Sequence, residues 1–377
     1  MKFKLLVKLL AIAFFPAIFL NLIKPTIAAK PEDIQRLKDT NKCTRCDLTN
    51  AYLAGLTLKN ADLSDSNLSG ANLVKTNLTG AKLRNVNLEK ADLRGAILPV
   101  ADLEKSKLGS ANFWKADMRG SNLSYTRMGR ANLKGANLTQ ANLIAAKLTY
   151  TNFIEANLKA AQLNAADLSN ANLNLANLET ANFDSANLTA ADLRQAYVRD
   201  ANFRGAILNA TKLKGANLGA VSFASAKLNG ADLSLTNLED ANFTSAELIN
   251  ADLSNADMNR GVFSKANFKG ANLTGVKLIR AYMYATILEN AKLNQANLRE
   301  ANLTQAILKL AILKGANLQG ANLTGADLTQ ANLRLANLNE ANLTTANLTN
   351  ANLRDAELNA ANLEGAILTG TRFQVDR

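Results

Sequence analysis

Cys43 and Cys46 are the residues best placed to do chemistry, and they are the only cysteines in the chain. A Cys-X-X-Cys pair can close a disulfide, cycle as a redox dithiol or supply half of a metal site. The 377-residue sequence has no histidine, which removes the usual proton shuttle near neutral pH and the commonest metal ligand. A zinc site would need further Cys or His ligands, so no metal site is expected. A redox motif of this spacing belongs in a βαβ context, and no such pattern surrounds the pair. The expectation is therefore a structural disulfide, with a redox-active pair as the alternative and free thiols as a third possibility. The acids do not converge either: Asp92, Asp102, Asp167, Asp232 and Asp327 occupy one slot of a repeating pattern. No catalytic, cofactor-binding or metal-ligating residue is assigned, and the chain is not expected to be an enzyme.

The element that must position the cysteines is a repeat. From Leu48 to Phe373 a large apolar residue recurs at every fifth position, giving 66 centres with no insertion or deletion. Fifty-two centres are Leu, nine Phe, four Met and one Val (Val198), so none is polar. Two residues earlier stands a small residue, usually Ala, and between them usually Asn or Asp, as in Ala71-Asn72-Leu73 and Ala61-Asp62-Leu63. A period of five builds no stripe on a helix and does not match the two-residue alternation of a strand. Each pentapeptide is therefore expected to be a short extended stretch plus a turn, with Leu and Ala facing inward. Phe183, Phe203, Phe223, Phe243 and Phe263 are spaced by 20, and Met283 continues the series. Twenty residues are four pentapeptides, so a four-sided coil would stack these rings into a ladder in the core.

The Ala-(Asn/Asp)-Leu-X-X pattern over residues 46–375 resembles the pentapeptide-repeat family. The resemblance implies an all-β fold, a right-handed quadrilateral β-helix with the central Leu and the small residue filling the interior. About 16.5 such coils at ~4.8 Å each would make a rod roughly 80 Å long. The Cys-X-X-Cys and the N-terminal sequence make the chain look most like exported cyanobacterial members of that family.

The ends carry the remaining signals. Residues 1–29 read as a signal peptide: Lys2, Lys4 and Lys8 precede the apolar run Leu9 to Ile23, and Ala28 and Ala29 offer cleavage points. An uncleaved membrane anchor is the other reading, although the run falls short of the roughly 20 residues a spanning helix needs. Residues 30–45 read as a capping helix and loop. Pro31 and two acids open the helix, and Ile34 and Leu37 share a face that can cover the first coil. After Phe373 no capping helix follows, which suggests an end-to-end homodimer through the last coil.

The net charge of +12 includes four lysines in residues 1–29, leaving +8 for the remainder. With a 20-residue coil, Val74, Arg94, Trp114, Lys134 and Ile154 fall on one outer stripe. Arg94, Trp114 and Lys134 form a candidate partner-binding site ordered by cation–π contacts, and Trp114 is the only tryptophan. The favoured function is an exported, non-catalytic scaffold of the periplasm or thylakoid lumen that binds an unidentified protein, without cofactor. A redox-linked lumenal protein using Cys43 and Cys46 is the alternative. DNA mimicry, the activity by which cytoplasmic relatives protect gyrase, needs an acidic surface, which this basic chain lacks, so no nucleic-acid partner is expected.

Overall fold

The computed structural model describes residues 29–373, so the signal-peptide expectation for residues 1–29 lies almost wholly outside the described part. Apart from one helix, that part is a four-sided β-helix. Each position just before a centre pairs in parallel with the residue 20 positions on, from Lys42↔Asp62 to Asn352↔Arg372. A coil is thus 20 residues, as the phenylalanine spacing indicates, and the chain forms a right-handed quadrilateral β-helix. Pairing begins at Lys42, so the coil register starts one pentapeptide before Cys46, with Cys43 itself in a central position.

Backbone hydrogen bonding explains the five-residue unit. In the pentapeptide Ala71–Lys75, the N–H of Leu73 donates to Asp92 O of the next coil and that of Lys75 donates to Arg94 O. The N–H of Asn72 donates to Ala51 O of the preceding coil, and that of Ala71 closes a turn on Leu68 O. The remaining N–H, that of Val74, donates to the Asn72 side-chain Oδ1 at 3.1 Å. The Asn or Asp before each centre is therefore the acceptor that satisfies the one amide the coil leaves over, an Asx-turn built into every consensus unit.

The last residue of every unit has positive φ, from Arg45 at 56° to Gly370 at 70°, as the third position of a type II turn demands. Most of these are not glycine. The extreme case is β-branched Val100 at 51°, and the turn there is helped by Pro99, whose fixed φ suits the preceding position.

The interior is closed. The central residues from Leu48 to Leu353 are at most 3 % exposed. The five phenylalanines form the expected ladder, with successive ring centroids 4.6, 5.1, 4.8 and 5.5 Å apart, all stacked. Phe268 meets the end of the ladder edge-on at 5.9 Å. Gly261 takes the slot usually held by Ala because the Phe263 ring folds over it; a Cβ there would lie 2.5 Å from Phe263 Cζ. Where Ser or Thr replaces the inner Ala, its hydroxyl donates to a backbone carbonyl, as Thr76 does to Leu53 O at 2.8 Å, so these hydroxyls are not left stranded.

Candidate functional site

Helix α1 (Pro31–Thr40) covers the first coil. Pro31 opens it without needing an N–H, Glu32 and Asp33 sit at its positive end, and Asn41 ends it in the left-handed region with its N–H on Leu37 O. Leu37 is fully buried and Ile34 packs against the same core.

Beneath α1, Cys43 and Cys46 are joined in a disulfide with Cα atoms 5.5 Å apart. Cys43 is a coil centre and Cys46 the small residue of the next unit, so the bond spans one turn. Both cysteines are nearly fully buried, at 1 % and 2 % exposed. Two side chains of the helix tie it to them, and a hydroxyl from the next coil holds them from below. Arg36 Nη2 donates to Cys46 Sγ at 2.7 Å and pairs with Asp33 at 2.6 Å. Asp33 in turn accepts the Asp47 N–H at 2.9 Å. From the next coil, the Ser66 hydroxyl accepts the Cys46 N–H at 3.0 Å and donates to Cys43 O at 2.5 Å. Asp33, Cys43 and Cys46 are close enough together to resemble a ligand set. With both sulfurs in the disulfide and the Arg36 guanidinium against Asp33 and Cys46, the arrangement is a clasp.

The outer stripe is real as a column, since Gly95 N–H donates to Trp114 O and Lys115 N–H to Lys134 O. Its contacts differ from those expected. Trp114 is 40 % exposed, and the cation over its ring is Lys115, with Nζ 4.7 Å from the centroid. Arg94 folds back onto Asp92, with Nη2 to Oδ2 at 2.7 Å, and Lys134 reaches towards Glu155 at 3.6 Å. Arg94 and Trp114 thus find their partners within their own turns, whereas Lys134 finds an acid on the next coil. Arg36 at the disulfide was not foreseen from its residue type. Its one signal was position: three residues after Asp33 on a helix, hence on the same face.

Asp117 is held below the usual carboxylate range by hydrogen bonds from the Arg119 guanidinium, against the opposing effect of partial burial. Asp47 is lowered chiefly by the Thr49 hydroxyl and then by the Thr49 N–H.

The family model for pentapeptide repeats matches in successive, partly overlapping segments that begin at residue 42 and run to residue 374. No match was found among the curated proteins. Among solved structures, HetL, a pentapeptide-repeat protein involved in heterocyst differentiation regulation in Nostoc, is 32 % identical over 59 % of this chain and 89 % of its own, with a TM-score of 0.21. A pentapeptide-repeat protein of the Arabidopsis thaliana thylakoid lumen is 38 % identical over 27 % of this chain and 61 % of its own, with a TM-score of 0.17. Rfr23 from Cyanothece is 34 % identical over 31 % of this chain and 63 % of its own, with a TM-score of 0.12. With the family model matching almost the whole coil and the four-sided register visible in the backbone, the chain belongs to the pentapeptide-repeat family.

Proposed function

We propose that the chain is an exported, non-catalytic scaffold that binds protein partners through its outer faces and its ends. The observation that carries this reading is the closed interior: central residues at most 3 % exposed from Leu48 to Leu353 leave chemistry only the outside of a rigid rod. Export fits the disulfide, which persists in oxidising compartments such as a periplasm or a thylakoid lumen, and fits the N-terminal sequence pattern.

The ends offer a further contact. In the last described coil Leu368 and Phe373 are 38 % and 40 % exposed, and this apolar end suits a second copy docked end to end. Affinity capture from the native compartment, run beside a Trp114→Ala variant, tests the scaffold. A reproducible partner set supports it, and retention no different from that of an unrelated pentapeptide rod overturns it. A monomer at high concentration in sedimentation equilibrium would dismiss the end-to-end dimer.

A redox-linked role for Cys43 and Cys46 is the second reading, and Arg36 is the observation that favours it. A guanidinium 2.7 Å from Cys46 Sγ would stabilise the thiolate released on reduction. Burial under α1 opposes it, because an exchange partner has to reach a sulfur. A reduction potential below about −300 mV would mark the bond as structural.

A further inference from the structure

Beyond residue 29, the net positive charge of this chain is concentrated in one band. Residues 105–154 hold eight basic side chains and one acid, Asp117, a net of +7. Residues 30–104 carry a net of +1, and residues 155–377 balance to zero. Two and a half coils therefore hold almost all of the excess.

Within the band the cations gather on one face. Lys107, Arg127 and Lys147 occupy successive rungs of one bridge column, paired as Lys107↔Arg127 and Arg127↔Lys147. Nowhere else among the bridge columns of residues 42–372 do cations stand on successive coils. The arrangement costs stability twice. Like charges are stacked at the strand-to-strand distance of ~4.8 Å. The slot normally held by Asn or Asp is also lost, so the N–H groups of Gly109, Gly129 and Thr149 forgo the Asx acceptor that Val74 finds in Asn72. None of the three cations forms an ion pair, whereas some cations elsewhere find an acid one coil away, as Lys159 does with Glu179 at 2.8 Å and Arg280 with Glu300 at 2.6 Å. A local rule broken on three successive coils with no gain inside the molecule marks a surface kept for a partner.

The surroundings identify the kind of partner. Lys105 and Tyr125 lie on the corner before this face, and Arg130 and Tyr150 on the corner after it. Tyr125 and Tyr150 are 55 % and 58 % exposed, and Arg130 lies over the Tyr150 ring at 5.8 Å. The corner between face and Arg130 is bare backbone at Gly109 and Gly129. The same face meets Glu89 one coil before Gly109 and Asp167 one coil after Lys147. A linear polyanion laid along the rod axis would run into both acids. Lys105 pairs with Glu104 of its own corner at 3.3 Å, which leaves Lys107, Arg127, Arg130 and Lys147, with both tyrosines, as a broad patch that a planar partner meets as a whole.

We propose that this face docks on an anionic lipid bilayer, with the cations at the headgroups and the two tyrosines at the interfacial level that their ring and hydroxyl suit. This goes beyond the scaffold reading and stands without it.

The test is co-sedimentation of the full chain with vesicles of zwitterionic lipid, alone or containing a fraction of anionic lipid. The variant replaces Lys107, Arg127 and Lys147 by Asn, the consensus residue. It restores three Asx acceptors, so it should melt at a higher temperature than the wild type, which separates binding from folding. The control makes the same change at Lys212, Lys277 and Lys292, which hold the same slot on scattered coils. Both variants share whatever the N-terminal apolar run contributes. The expected result is binding that depends on anionic lipid, weakens with salt, survives in the control and falls about a hundredfold in the triple variant, roughly fivefold per cation. Equal binding to both vesicle types, or equal losses in control and triple variant, overturns the proposal. So does binding to soluble polyglutamate or single-stranded DNA without binding to vesicles, which would assign the face to a soluble polyanion.

Discussion

The first and last coils are built from the same five-residue unit and meet solvent differently. At the N-terminal end Leu48 and Leu53 are fully buried because α1 lies over them, clasped by the disulfide and Arg36. In the last described coil Leu363 is only partly buried, and Leu368 and Phe373 are more than a third exposed. The N–H of Leu353 still reaches Arg372 O, whereas Leu358, Leu363 and Leu368 face no further coil among the described residues. A pentapeptide supplies side chains for a core but not the cover that makes them a core. The neighbouring coil or cap supplies that, as in other repeat architectures.

The largest test of this contrast truncates equivalent leucines. Leu48→Ala is expected to cost about 2–5 kcal/mol, the range for a fully buried leucine. Leu368→Ala should cost under about 1 kcal/mol, because part of its surface is already in water. Urea unfolding measures both, with hydrogen exchange locating the loss. Equal costs would show that the last coil is covered in solution, as an end-to-end dimer would cover it.

Next in size is the disulfide. Replacing Cys43 and Cys46 by Ala should cost roughly 2 kcal/mol on the loop-entropy model for so short a loop. Exchange should quicken in residues 41–60 and stay unchanged beyond the phenylalanine ladder. A smaller effect is expected from Arg36→Ala, about 1 kcal/mol, since Asp33 and Cys46 each lose one half-exposed partner. Arg36→Lys should restore part of the loss, because the single nitrogen Nη2 makes both contacts and an ammonium also carries several donors on one atom.

Much of this was legible in the sequence, because a repeat states its geometry many times over. The unbroken register gave the inward residues, and Phe183 to Phe263 gave four sides per coil. The start at Lys42 was hidden because Cys43 is too small to read as a centre beside Leu48. The partner of Trp114 was misplaced because column neighbours were weighed and turn neighbours such as Lys115 were not. The basic band was blurred in the net charge of +8 beyond residue 29, which averages it with the balanced coils on either side. Only a coil-sized window shows that Lys107, Arg127 and Lys147 share a column.

The smallest expected effect is also the most specific, because it compares one turn in two chemical forms. In the first coil Asp47 Oδ1 accepts the Thr49 N–H at 3.1 Å and the Thr49 hydroxyl at 2.6 Å. On the same face near the other end, Asn347 Oδ1 accepts the Thr349 N–H at 3.0 Å and the Thr349 hydroxyl at 2.7 Å. The geometry matches, but only the carboxylate titrates. The Thr49 hydrogen bonds favour the ionised form of Asp47 and lower its pKa on folding. A lowered folded pKa means that the unfolded chain binds the proton more readily. The stabilisation is therefore complete above the unfolded value near 3.8 and fades as pH falls through the folded one. With no histidine in the chain, the first coil should hold its exchange protection from pH 7 down to about 5 and lose part of it below about 4. The Asn347 turn should keep its protection over the same range, and Asp47→Asn should make the first coil behave like it. Acid loosening of both turns together would mean that the coil opens as one unit, and the contrast between the two ends would then not extend to their turns.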